Sequence, residues 1–180
     1  MDRRVFVTGS AILCVPMLSS CASSSPTFAN DGYCYRAHAR PPAKPICLTD
    51  SMPSANADEE AKRFAPVPSR VVIYVVRHQI GDTANTVNVG ILGSRFVPTI
   101  PESLVRIVVP PGVHRLGFEW KKGSGELSVL GSAGQVLFVE LRGDLWLWME
   151  RYRLRMAETS IRHRARASRL VADLATGEGA

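Results

Sequence analysis

The run Val71-Val72-Ile73-Tyr74-Val75-Val76-Arg77 constrains the fold more than any other stretch. Its β-branched and aromatic residues follow one another without alternation, so a strand built from them is apolar on both faces. Such a strand belongs in the middle of a sheet, covered on either side. Pro66 and Pro68 stand just before it and stop the short helix predicted over Asp58-Glu59-Glu60-Ala61-Lys62-Arg63-Phe64, with Asp58 as its N-cap.

The remaining strands are shorter. A turn at Gly81-Asp82 leads to a second strand, Thr86 to Leu92, which ends at Gly93-Ser94. A third, interrupted by Pro98 and Pro101, suits a sheet edge. Leu104 to Val109 alternates, with Val105, Ile107 and Val109 on one side and Arg106 on the other. Pro110-Pro111-Gly112 reads as a hairpin turn in which proline presets φ and glycine accepts φ > 0. Val113 to Trp120 is the expected return strand, with His114, Leu116, Phe118 and Trp120 on one face. Glu126 to Leu130 and Gln135 to Leu141 form a further pair joined through Gly131 to Gly134. Ser160 to Ala175 is predicted as a helix, with Ala167, Leu170, Val171 and Leu174 on one side and Arg162, Arg166 and Arg169 on another. The expected fold class is mainly β: an antiparallel β-sandwich-like domain with a short N-terminal helix and a C-terminal amphipathic helix.

A basic start, Met1-Asp2-Arg3-Arg4, precedes fourteen mostly apolar residues from Val5 to Leu18. That is the length of a secretory signal core and shorter than the roughly 17–25 residues of a membrane span. Leu18-Ser19-Ser20-Cys21 then resembles the lipobox of bacterial lipoproteins, in which cleavage falls directly before a cysteine carrying diacylglycerol. Arg3-Arg4-Val5-Phe6-Val7 also resembles a twin-arginine export signal, and the general secretory route is preferred to it. Of the four cysteines, Cys14 leaves with the leader and Cys21 is lipidated. Cys34 and Cys47 are expected to pair in an oxidising compartment. A metal site using His38 between them ranks below the disulfide, because the spacing fits no common zinc pattern. The expected organisation is a signal peptide over 1–20, a lipidated Pro/Ser-rich tether with a disulfide loop over 21–57, a β domain over 58–157 and a basic helix and tail over 158–180. A flexible tether of that length would span about 30–36 Å.

The formal net charge is +6. Arg151, Arg153, Arg155, Arg162, Arg164, Arg166 and Arg169 face only Glu158, Asp173 and Glu178 beyond residue 150, a local net of +4. On an exported protein such a patch would meet anionic lipid or another envelope partner and not nucleic acid. Arg151, Arg153, Arg155, Arg162, Arg166 and Arg169 are the candidate contacts to such an anionic surface, and the blander reading of a solvated basic face is preferred to that role. Leu145 to Met156 alternates Trp146, Trp148, Tyr152 and Leu154 with the arginines. The preferred reading is an edge hairpin with aromatics in the core, ahead of an aromatic platform facing a membrane or polyanion.

No catalytic constellation emerges. The histidines His38, His78, His114 and His163 lack helical zinc spacing, the carboxylates fall singly, and no nucleophile elbow or phosphate-binding loop is present. His114 is expected to bond turn backbone. The expectation is no cofactor, no metal and no enzymatic activity.

Three blocks carry a resemblance. Ala61-Lys62-Arg63-Phe64-Ala65-Pro66-Val67-Pro68, then Ile73-Tyr74-Val75-Val76-Arg77, then Pro110-Pro111-Gly112-Val113-His114-Arg115-Leu116 resemble the bacterial domain-of-unknown-function family twenty-eight forty-six. The Pro-Gly-x-His-x-Leu segment also resembles PEGA-type surface domains. The similarity covers about residues 58–160 and implies a β-sandwich-like lipoprotein domain, with no activity or site attached. The expected protein is a non-enzymatic envelope lipoprotein facing the periplasm from the outer membrane, since Ala22 and not Asp follows the cysteine. The alternative is a periplasmic binding module for a small or polyanionic ligand.

Overall fold

The computed structural model describes residues 28–29, 32–36, 44–78, 85–146, 149–158 and 160–175. The leader, the lipobox with Cys21, His38 and the Gly81-Asp82 turn lie outside the described residues. In chain order the elements are β1 (Phe28–Ala29), β2 (Gly32–Tyr35), β3 (Ile46–Leu48), α1 (Ala55–Ala61), β4 (Val71–Arg77), β5 (Val87–Ile91), β6 (Phe96–Thr99) and β7 (Ser103–Val109). They continue with β8 (Gly112–Trp120), β9 (Gly123–Gly131), β10 (Val136–Trp146), β11 (Met149–Met156), α2 (Ile161–Ala167) and β12 (Arg169–Ala175).

The protein is mainly β and sandwich-like. One sheet has the order β11-β10-β4-β7-β12, the second β6-β5-β8-β9, and a small third sheet β1-β2-β3 joins them. β4 lies at the centre of the five-stranded sheet, and all seven of its residues are buried. Val71, Ile73 and Val75 face the second sheet within one core, together with Val89, Leu116, Phe118 and Val139. Val72, Tyr74 and Val76 face the opposite way into a second core completed by Phe64, Phe138, Ile161 and Ala165. The helices thus cover the outer face of the larger sheet, which is why no polar alternation is tolerated in β4.

Two pairings are parallel, β4 with β10 and β7 with β12, and the rest are antiparallel. The turn at Pro110-Pro111 does not close a hairpin: β7 pairs with β4 and β12, while β8 pairs with β5 and β9. The chain crosses there from one sheet to the other, and crosses back between β9 and β10. The expected pairs 104–109 with 113–120 and 126–130 with 135–141 are corrected accordingly. Alternation records which face a strand buries, but not which strand lies beside it. Gly112 does adopt the expected positive φ, at 138°.

Three boundaries also change. Ser54, and not Asp58, caps α1, its Oγ accepting from the Ala57 amide at 3.3 Å. The predicted C-terminal helix ends at Ala167, and residues 169–175 form β12. Leu170 enters the outer core while Val171 and Ala172 enter the inner one, a strand's alternation broken by a bulge between Leu170 and Ala172. Finally, the expected tether is in part folded. Tyr33, Tyr35 and Leu48 belong to the main core, so β2 and β3 pack into the domain.

Candidate functional site

Cys34 and Cys47 are directly opposite each other on β2 and β3 and are joined by a disulfide. The bond cross-links the two strands of this short sheet. Next to it, the Tyr33 hydroxyl donates to the carbonyls of Glu102, at 3.2 Å, and Pro101, at 3.4 Å. Burial, with the Glu102 charge adding to it, pushes the Tyr33 phenol well above its ordinary range.

The arginines divide. Arg151, Arg153 and Arg155 are exposed on β11, while Tyr152 between them is buried. Arg153 pairs with Asp144 at 3.0 Å, and the Arg155 Nε donates to Glu140 at 2.6 Å. On α2, Arg162 lies over the Phe138 ring at 5.4 Å and Arg166 over Phe64 at 5.7 Å. These guanidiniums lid the aromatic cluster of Phe64, Tyr74 and Phe138. Arg169 is not a surface contact, contrary to expectation. Its side chain is largely buried, 3.2 Å from the Asp58 carboxylate, and donates to the Pro53 carbonyl at 2.7 Å. Its place in β12 turns it toward α1, where a helical residue would have faced solvent.

A cavity of about 320 Å³ opens between α2 and the β10–β11 hairpin. Glu140, 5% exposed, forms its charged floor, with Arg155 beside it and Arg164 at 3.5 Å. Ser160, Glu158, Met156, Ala157 and Ile161 complete the walls. His78 feels the same charges. Burial, then the Arg164 guanidinium, lowers its pKa, and Glu140 opposes them. The sequence analysis missed this group. Its signal was the lone glutamate inside Val136-Leu137-Phe138-Val139-Glu140-Leu141, a carboxylate in a strand otherwise apolar on both faces.

At the end of β4, Arg77 is fully buried. Its Nη1 donates to the Thr99 carbonyl at 2.6 Å and its Nη2 to the Tyr152 hydroxyl at 3.2 Å. Asn85 donates to the same hydroxyl at 3.3 Å. Trp120 meets the Tyr152 ring edge-on at 4.8 Å, and Lys122 pairs with Glu150 at 2.7 Å. Trp146 is the antiparallel partner of Met149, so no single extended face runs from Trp146 to Leu154. The side chains of Trp146 and Trp148 lie outside those described. His114 Nε2 is 2.7 Å from the Pro110 carbonyl, the turn-backbone bond expected of it.

Among the described residues, no group of three His, Cys, Asp or Glu side chains could hold a metal, and no helix is long and apolar enough to cross a membrane. The arrangement offers charge-paired polar groups around one cavity and an aromatic, cation-bearing end of the sandwich. Neither protein-family models nor curated proteins match the chain.

Proposed function

We propose that the chain is a lipid-anchored lipoprotein of the bacterial cell envelope, whose β domain acts by binding or structural support and not by catalysis. The observation that carries this reading is Leu18-Ser19-Ser20-Cys21, set directly behind a basic start and a fourteen-residue apolar run. The Cys34–Cys47 bond supports it, since such bonds persist in oxidising compartments. Export by the general secretory route and an outer-membrane location facing the periplasm complete the proposal. Metabolic labelling with a fatty-acid analogue tests it: the wild type takes up label and Cys21→Ala takes up none. Equal incorporation by the two would refute the anchor.

The cavity at Glu140 favours a second reading, a periplasmic module for a small anionic ligand. Its volume of about 320 Å³ lies at the lower end of the usual ligand-pocket range. Arg155 and Arg164 would hold the anion and Met156 and Ile161 its apolar part. A calorimetric screen of small carboxylates and phosphates tests this reading. Heat that disappears in Arg164→Ala supports it, and no heat from any of them counts against it.

A further inference from the structure

The two sides of the sandwich are built differently. At one side β11 is joined to the second sheet by the Lys122–Glu150 pair and the edge-on contact of Trp120 with Tyr152. At the other side the edge strands are β6 and β12. Residues of both, with the 48–53 segment, enclose a cavity of about 370 Å³ that shares no residue with the one at Glu140. Its walls are fixed by the fold. Leu48 sits in the main core, and the Pro53 carbonyl accepts from Arg169 at 2.7 Å, so the 48–53 segment is held at both ends. The bulge between Leu170 and Ala172 lets two successive residues, Val171 and Ala172, join the main core, and both line the cavity.

The floor is apolar. Leu48, Val97, Val171 and Ala172 are buried, and Met52 and Leu174 pack against the same core. Three charged residues line the rest: Asp50, Arg95 and Asp173. They are not equivalent. Both carboxylate oxygens of Asp173 accept from Arg106, at 2.9 and 2.6 Å. Asp50 and Arg95 are exposed, and neither has a hydrogen-bond or ion-pair partner among the described residues. The Glu140 cavity differs, because its carboxylate is already shared by Arg155 and Arg164. One uncommitted carboxylate and one uncommitted guanidinium over an apolar floor complement a zwitterion with an apolar body. The guanidinium fork matches a carboxylate, and the Asp50 oxygens accept from an ammonium. A purely anionic ligand would bring like charge to Asp50, and a purely cationic one would bring it to Arg95. The volume, near the lower end of the range for ligand pockets, suits a small molecule.

We propose that this cavity binds a small zwitterion of the apolar amino-acid or dipeptide class, its carboxylate at Arg95, its ammonium at Asp50 and its side chains on the floor of Leu48, Val97 and Val171. The site is separate from the anion cavity at Glu140 and does not depend on the lipid anchor. Equilibrium dialysis of the full chain against radiolabelled leucyl-leucine tests it, with the N-acetyl and C-amide forms and seryl-serine as unlabelled competitors. Leucyl-leucine is expected to bind, and either cap to weaken competition by about tenfold or more. In Asp50→Asn the acetyl cap has no further effect, and in Arg95→Gln the amide cap has none, because each substitution removes the charge that the cap leaves without a partner. Both residues are exposed, so unchanged melting points are expected of the variants. No binding of leucyl-leucine overturns the site. Caps that act equally on the wild type and on both variants overturn the assignment of its charges to Arg95 and Asp50. Seryl-serine competing as well as leucyl-leucine overturns the role of the apolar floor.

Discussion

At the residue scale, buried polar groups decide more than the apolar majority. Arg77 ties β4 to Thr99 of β6 and Tyr152 of β11, joining three strands of two sheets. Arg77→Met fills the space but leaves the Thr99 carbonyl without that donor, so we expect a loss of about 2–4 kcal/mol in denaturant unfolding. Gly112, at φ 138°, has no neighbour within 4 Å of an added Cβ, so its requirement is conformational and not steric. Gly112→Val should cost about 1–3 kcal/mol, read as a lower melting midpoint. His78 gives a pH dependence. Its folded pKa lies below the ordinary 6.5, so on acidification the unfolded chain takes up the proton first. Stability should therefore fall as pH drops through about 6.5, and the melting point of His78→Gln should fall less over pH 8 to 5. The backbone roles of Gly112 and His114 were legible in the sequence because each follows from local chain geometry. Asp58 and Glu140 were not, because their partners lie 112 residues away at Leu170 and 15 residues away at Arg155.

At the element scale, the sequence separates what a segment buries from what it becomes. Residues 169–175 carry apolar residues that fit a helical wheel, yet they form a strand because β7 presents an open parallel edge. The Asp58 carboxylate accepts from the Leu170 amide at 2.7 Å and stands 3.2 Å from Arg169, so α1 seals the start of that strand. Asp58→Ala leaves the buried Leu170 amide without this acceptor and the Arg169 guanidinium without its carboxylate, though the guanidinium keeps its bond to the Pro53 carbonyl. We expect a loss of about 1–3 kcal/mol, with faster hydrogen exchange in β12. The small N-terminal sheet depends on its disulfide. Cys34→Ala/Cys47→Ala should lower stability by about 2–4 kcal/mol and open residues 32–48 to proteolysis before the rest of the domain. Folded protein with unchanged protease resistance would show that Tyr33, Tyr35 and Leu48 hold that sheet without the bond. A proline-rich stretch reads as linker by composition, and only the two tyrosines flanking Cys34 hinted that it is anchored in a core.

At the scale of the whole molecule, the β class and the central place of Val71 to Arg77 were legible, since a strand apolar on both faces admits few positions. The crossings between sheets and the two parallel pairings were not, because strand partners are set by three-dimensional closure and leave no mark on a single strand. The N-terminal sheet takes Gly32–Tyr35 and Ile46–Leu48 out of the expected tether over 21–57 and into the folded domain. The central claim is that Cys21 is the first residue of the mature protein and carries the lipid. Intact and peptide mass spectrometry of protein extracted from the envelope tests it most directly. The account predicts an N-terminal peptide beginning at Cys21 with a diacylglyceryl mass on its sulfur, and an N-terminus elsewhere with an unmodified thiol at Cys21 would contradict it.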